Sequence, residues 1–428
     1  MAGTHFPSKS NPRFLSGLIG LRLVLLAPTL CLFVIAGQIA QAQTFAVLHT
    51  FTSENGDGAT PYSGLIFDAE GNLYGTTKYG GFGDSGTVFE LTPSGSEMEL
   101  YPRTLCGNGL VGGLLRIKKN LYGTTYAGGS CFGQDDGSGS VFELVYSAKK
   151  KSYMGTTLFG FYGGLFGSEG ERPEGTLIAD EEGNVYGTTA YGGSTGYGLV
   201  YEITPGGTEI VLYTFCPDER DGCPDGGQPY GNLVRDGQGN LYGTTYYGGA
   251  YGLGTVFEVT PSGEETVLHS FGGGQDGGHP AAGLIRDVQG NFFGTTQSTV
   301  FEITPSGQET VLYTFCSQPN CTDGIGSSAP LIRDSKGDLY GTTAFGGTGT
   351  GCEYGSSCGT VFELVYSKKT KTYTEQVLYS FTGGTDGADP YGGLVKDKLG
   401  NLYGTTEQGG DLSLCYGRGC GTLFKLTP

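Results

Sequence analysis

The sequence predicts an all-β protein: a seven-bladed β-propeller of four-stranded antiparallel blades, its ring closed by the N-terminal strand. Three observations predict this. The string YGTT, once FGTT, begins at Tyr74, Tyr122, Tyr186, Tyr242, Phe293, Tyr340 and Tyr403, giving seven copies 47 to 64 residues apart. Around each copy the pattern P-x-x-GLI-x-D-x-x-GN-LYGTT, a Gly loop, GTVFE-L-TP-x-G and E-x-VLYSF recurs with local decay. The two ends of the exported chain are complementary fragments of one repeat.

Each copy carries four strand signals. In the fourth they fall at 230–236, 240–245, 254–260 and 264–271, called a to d. The a–b turn reads Asp-x-x-Gly-Asn, as from Asp236 to Asn240, where Gly supplies a positive φ for a tight hairpin. The c–d turn reads Thr260-Pro261-Ser262-Gly263, with proline presetting the first dihedral and Gly taking the left-handed position. Four antiparallel strands in about 50 residues match one propeller blade. Composition agrees: 82 glycines, 28 tyrosines and 24 phenylalanines in 428 residues, without a three-residue period, fit many short strands joined by Gly turns.

The ends predict closure. Thr44 to Phe51 reads as a d strand with no a, b or c before it, and Gly421 to Pro428 reads as a c strand with no d after it. An open solenoid would need capping repeats. Here the N-terminal strand is expected to complete the last blade and remove an exposed sheet edge.

Residues 1–42 read as a secretory signal peptide. Lys9, Arg13 and Arg22 precede an apolar run from Leu23 to Ala36, and Ala40-Gln41-Ala42 supplies a small-x-small cleavage site. The alternative is an uncleaved anchor, but the run is shorter than the ~20 residues of a spanning helix. Cleavage leaves 43–428 as a single propeller domain, secreted or periplasmic in a bacterium, monomeric and with no transmembrane segment. Net charge is −18 for the full chain and −21 for the exported one, 21 basic against 42 acidic residues. Such a surface disfavours nucleic acid and anionic lipid.

Losing Cys31 leaves ten cysteines, an even number that reads as disulfides in an exported protein. Four pairs are close in sequence: Cys216 with Cys223, Cys316 with Cys321, Cys352 with Cys358, and Cys415 with Cys420. Cys106 and Cys131 are left for each other. In an a-b-c-d meander the b–c loops and d–a crossings share one face, and all five bridges fall there. Long, stapled loops on a rigid scaffold are where binding resides.

GNLYGTT, the Gly-Gly loop after it, GTVFELTP and VLYSF resemble the GloVer tandem repeat of exported bacterial proteins, described as choice-of-anchor tandem repeat GloVer-containing. The resemblance covers nearly all of the exported chain and implies a surface or secreted role, with no catalytic residues to carry over. Proteins of that kind can bear a C-terminal sorting anchor; none is expected here, since Pro428 directly follows a strand. A looser similarity links Asp236 to Tyr242 with NHL-type propellers and supports the architecture only.

The candidate ligand contacts are aromatic. Tyr79, Tyr191, Tyr247 and Phe345 precede Gly-Gly in the b–c loops, and Tyr62, Tyr230 and Tyr391 follow Pro at the start of strand a, nearer the axis. Rings beside hydrogen-bonding side chains suit sugar or peptide faces. The competing reading packs the same rings between blades as part of the repeat, and the absence of Trp weakens a carbohydrate platform. Asp57, Asp225, Asp276, Asp323 and Asp386 in the d–a crossings are candidates for calcium; as Asp-Gly turns they are more simply explained by backbone capping. No other cofactor, metal or catalytic residue is nominated.

His49 and His269 occupy the slot of Tyr213, Tyr313 and Tyr379 and read as outer-strand substitutions, while His279 beside Pro280 can reach the loop face. Lys149-Lys150-Lys151 and Lys368-Lys369-Thr370-Lys371 read as solvated c–d hairpin tips, or as attachment points for an anionic polymer. No GxSxG nucleophile elbow between a strand and a helix, no P-loop and no HExxH is present. The reading is therefore a non-enzymatic exported propeller, binding or structural, with a glycan or a surface protein as ligand. The alternative is a hydrolase or lyase acting on a polysaccharide or lactone at the axial channel. Acids in different surroundings at the channel mouth favour the enzyme; a mouth of repeat-equivalent residues favours binding. Repeat five joins b to c through Thr296-Gln297-Ser298-Thr299 with almost no loop, which predicts a notch in the rim between Tyr247 and Phe345.

Overall fold

The computed structural model describes residues 43–100, 107–128, 137–162, 169–218, 221–352 and 358–428. The expected signal peptide and the expected bridge between Cys106 and Cys131 lie outside the described residues. The described chain forms seven four-stranded antiparallel sheets in sequence order, the blades of a propeller. In blade 4 the strands are Val234–Arg235, Leu241–Thr245, Thr255–Val259 and Glu265–Ser270. Strand a is shorter than predicted. Its first half leaves the sheet because Gly231 and Asn232 turn to the neighbouring blade: Thr188 donates to the Gly231 carbonyl, and Asn232 accepts from the Thr176 amide.

The ring closes as the chain ends predict. Thr44–Thr50 pairs antiparallel with Thr422–Thr427, with Phe45 opposite Leu426. Phe45 also stacks on Tyr379 of blade 6 at 4.0 Å between ring centroids. The described core falls into seven clusters, each shared by two successive blades. Seven blades in an open row would have six such interfaces. The seventh joins Phe51 and Leu423 of blade 7 to Leu65, Leu73 and Phe89 of blade 1. Phe51 is fully buried there, which is worth about 2–3 kcal/mol of apolar burial.

The repeated motif is explained residue by residue. In six blades an Asp opens the a–b turn and accepts from the amide of the turn's last residue, as Asp236 does from Asn240 at 2.9 Å. In five of them its second oxygen takes the hydroxyl of the YGTT tyrosine, as Tyr242 to Asp236 at 3.1 Å. The Gly of YGTT lies under the phenylalanine of strand c: a Cβ on Gly243 would stand 2.6 Å from Phe257 Cζ. The first Thr latches blades together. Thr76, Thr188, Thr244, Thr342 and Thr405 each donate to a backbone carbonyl of the next inner segment, and Thr405 to Ser63 at 3.1 Å closes the ring. The second Thr pins the b–c loop, as Thr245 to the Tyr247 carbonyl at 2.9 Å.

Candidate functional site

On one face, short ladders tie each d–a crossing to the b–c loop of the blade it enters. Gly58–Ala59 pairs with Tyr79–Gly80, Gly107–Asn108 with Ala127–Gly128, and Gly170–Glu171 with Tyr191–Gly192. Single bridges from Gly227 to Tyr247, Ile325 to Phe345 and Ala388 to Gln408 repeat the pattern.

The four sequence-local disulfides form on this face as their spacing predicts. Cys216 is joined to Cys223, Cys316 to Cys321, Cys352 to Cys358, and Cys415 to Cys420. The second cysteine of each pair also anchors a loop through its carbonyl. Cys223 and Cys321, in crossings, accept from the amides of Gly249 and Gly347 in the b–c loops at 2.9 and 3.0 Å. Cys358 and Cys420, in b–c loops, accept from Asp389 and Thr60 in the following crossings at 3.1 and 2.8 Å. The loops are therefore held by backbone pairing as well as by cross-links.

At the centre of this face lies a cavity of about 610 Å³ lined by residues of all seven blades, the mouth of the axial channel. Tyr62, Tyr191, Tyr230, Tyr247 and Tyr391, five of the seven predicted rings, line it together with Tyr246. The rings form two groups. Tyr62 and Tyr391 stack at 5.0 Å, the Tyr191 and Tyr230 hydroxyls meet at 3.1 Å, and Tyr230 and Tyr246 pack edge to face at 5.6 Å. Tyr79 and Phe345 do not line this cavity. Tyr79 is exposed beside Lys78, whose Nζ lies 5.4 Å from its ring. Phe345 lines a second cavity of about 550 Å³ at blade 5, with Gln297, Ser298 and His279. This is the predicted notch, and it shares Tyr391 and Ser328 with the axial cavity.

The inner position at the start of strand a, which follows Pro in five repeats, Leu110 in repeat two and Ser327 in repeat six, reads Tyr62, Val111, Glu174, Tyr230, Ala281, Ser328 and Tyr391 around the ring. All seven line the cavity. Burial pushes the Glu174 carboxyl up to about 7, with Lys78 and then Arg172 pulling against it. Glu407, directly after YGTT in blade 7, is also raised by burial, opposed by the same Lys78. Lys78 Nζ sits 5.6 Å from the Tyr62 ring, and the Arg172 guanidinium 5.0 Å from both Tyr126 and Tyr191. His279 meets the Tyr246 carbonyl through Nδ1 at 2.9 Å. The sequence reading missed Lys78, Arg172, Glu174, Tyr246 and Glu407. A signal was available: they stand at fixed offsets from Pro and YGTT where the repeats disagree.

The acidic candidates are used inside the protein. Asp323 accepts from the Tyr313 hydroxyl and the Ser317 amide, and Asp225 from Tyr213 and the Cys216 amide. Asp57 and Asp276 take His49 and His269 in place of tyrosine, each at 3.1 Å. Asp386 takes Tyr379 and the Thr382 amide. This is the capping chemistry of the turn reading, and it accounts for both histidines. His269, Asp276 and Glu309 place ligand-type atoms within 4.8 Å of one another, but the set is a variant of this repeated outer contact. Both lysine runs are exposed at hairpin tips, with Lys151 and Lys371 at positive φ. Among the described residues no helix is long and apolar enough to cross a membrane.

A family model described as the Gloeobacter/Verrucomicrobia repeat matches residues 132–319 and 297–428. In three dimensions the chain is similar to selenomethionine-substituted virginiamycin B lyase from Staphylococcus aureus, with 12% identity and a TM-score of 0.54 over 90% of this chain and 99% of that one. It is also similar to a streptogramin B lyase, with 13% identity and a TM-score of 0.53 over 90% and 97% of the two chains. A third likeness is to the extracellular domain of a hybrid two-component system from B. thetaiotaomicron, at 14% identity and a TM-score of 0.53 over 89% of this chain and 39% of that one. At such identities these likenesses establish the architecture alone. No curated protein matches the chain in sequence.

Proposed function

We propose that this chain, which belongs to the Gloeobacter/Verrucomicrobia repeat family, is an exported propeller that binds a saccharide without chemical turnover at the mouth of its axial channel. One observation carries the reading. Most repeats preserve the turn, latch and core residues, but they diverge at the inner position at the start of strand a, which reads Tyr, Val, Glu, Tyr, Ala, Ser, Tyr. A position demanded by the fold would repeat with the rest. What remains is a concave site with several tyrosine rings beside hydroxyl and amide groups, a combination suited to sugar rings. The notch at blade 5 opens from it and gives an extended chain an exit.

The mouth is not built only of repeat-equivalent residues. Glu174, which lines the cavity, and Glu407, which acts on the cavity-lining Tyr62 and Tyr391, are acids in different surroundings, the feature that favours the alternative reading, a hydrolase or lyase on a polysaccharide or lactone. A glycan-binding screen of the exported form, with product analysis of the same mixtures, separates the two. Binding without products, weakened at least tenfold by Tyr230→Ala, supports the proposal. Products that disappear in Glu174→Gln and Glu407→Gln would replace it with the enzyme, and absence of glycan binding would refute it.

A further inference from the structure

Among the described residues, Glu174 is the one carboxylate that lines the axial cavity, and no lysine, arginine or histidine lines it. Its side chain has no hydrogen-bond partner among the described residues. The fold does not require an acid here, because the same position is filled by Val111, Ala281, Ser328 and three tyrosines in the other blades. A half-buried carboxylate without a hydrogen bond is unfavourable in the empty site, and the charges of Lys78 and Arg172 offset only part of that cost. A neutral sugar would offer it hydroxyl donors but no opposite charge, whereas an ammonium offers both.

The rings around it favour positive charge. A cation over a tyrosine face is attracted by the ring quadrupole, more strongly when partly desolvated. The protein already uses rim rings this way, with Lys78 over Tyr62 and Arg172 over Tyr191. No such protein cation lies over Tyr230 or Tyr391 among the described residues, although both line the cavity with Glu174. The chain's net charge of −18 draws cations toward any opening. We infer that the axial cavity selects an amino sugar, its ammonium held by the Glu174 carboxylate beside the Tyr230 ring. This rests on the saccharide reading above and names its ligand class.

The test is calorimetric titration of the exported form with a glucosamine tetramer and with its N-acetylated counterpart, at neutral pH and low salt. The amine tetramer is expected to bind at least tenfold more tightly. Glu174→Gln should bring it to the level of the acetylated tetramer and leave the latter unchanged. Ser328→Glu, which adds a second carboxylate at the equivalent position in blade 6, should tighten the amine form several-fold. Equal affinity for the two tetramers overturns the inference while the saccharide reading stands. If neither tetramer nor any neutral glycan binds, the saccharide reading itself is overturned. If Glu174→Gln lowers the thermal midpoint, Ser328→Glu decides, and no tightening there overturns the inference.

Discussion

Raising the pH from 5 to 8 should destabilise the ring through a set of repeated carboxyl contacts on its outer side. Glu209, Glu265, Glu309 and Glu375, on the outer strands of blades 3 to 6, are each pushed up to about 7, first by burial and then by a facing acid. Those acids, Glu169, Asp225, Asp276 and Asp323 in turn, lie in the crossing that enters each blade. In all four glutamates one oxygen is buried without a hydrogen-bond partner. The folded-state value exceeds the ordinary one, so folding retains a proton that unfolding releases. The stability this confers is complete below about 4.5 and is lost as pH rises to about 7. A displacement of roughly 2.5 units corresponds to about 3.4 kcal/mol at full burial. These side chains are half exposed, and screening reduces this to about 1 kcal/mol each. The four together give about 4 kcal/mol, or roughly 5 °C in thermal midpoint for a chain of this size. Several turn aspartates, Asp68, Asp180 and Asp397 among them, are held below their ordinary value by hydrogen bonds that oppose their burial. Their loss lies at more acidic pH and does not overlap this window. Scanning calorimetry at half-unit steps provides the measurement, and the variant changing all four glutamates to Gln should remove most of the decline. A midpoint that is flat or rises from pH 5 to 8, or a variant with an undiminished decline, would refute the reasoning.

Three further outcomes are expected. Thr405→Val removes the latch to Ser63 and should cost about 1 kcal/mol, whereas Thr124→Val should be close to neutral, because the Thr124 hydroxyl is buried without a partner; chemical denaturation compares them. Gly243→Ala forces a Cβ to within 2.6 Å of Phe257 Cζ and should cost about 1–3 kcal/mol, while Gly237→Ala, with nothing within 4 Å, should leave the midpoint unchanged. Reducing the four local disulfides should remove about 2 kcal/mol each and speed amide exchange in the loop face before the blades. Uniform exchange across both faces would show that the ladders alone hold the loops.

The fold was legible because propeller chemistry is written in short local rules. Asp-x-x-Gly-Asn specifies a hairpin through capping and a positive φ, and the structure has Gly239 at φ 92°. Closure was legible because Thr44–Thr50 is a d strand without a blade. The length of strand a was not. Hydrophobic pattern does not distinguish a strand bonded within its blade from a segment whose carbonyls serve the next one, as the Gly231 carbonyl serves Thr188. That choice is made by a neighbour more than 40 residues away.

The site was legible in part for a related reason. Repetition draws attention to what recurs, and Tyr62, Tyr230 and Tyr391 were found because three repeats agree on them. Glu174 occupies the same offset and was passed over because it breaks the agreement. In a ring whose blades share one scaffold, residues that recur are explained by the scaffold, as the YGTT tyrosine is by its bond to the turn aspartate. Residues that depart from the repeat while facing the common axis have no such explanation. Specificity in a repeat propeller should therefore be sought where the repeat fails at an inward offset. Glu174 meets that criterion at the axial cavity, and Lys78, Arg172 and Glu407, where the repeats also disagree, are linked to it electrostatically, directly or through Lys78. Lys78 acts on both glutamates, so Lys78→Met should raise both carboxyls further. Carboxyl titrations followed by NMR would show this, and unchanged titrations would mean that the lysine is directed to solvent and is not part of the site.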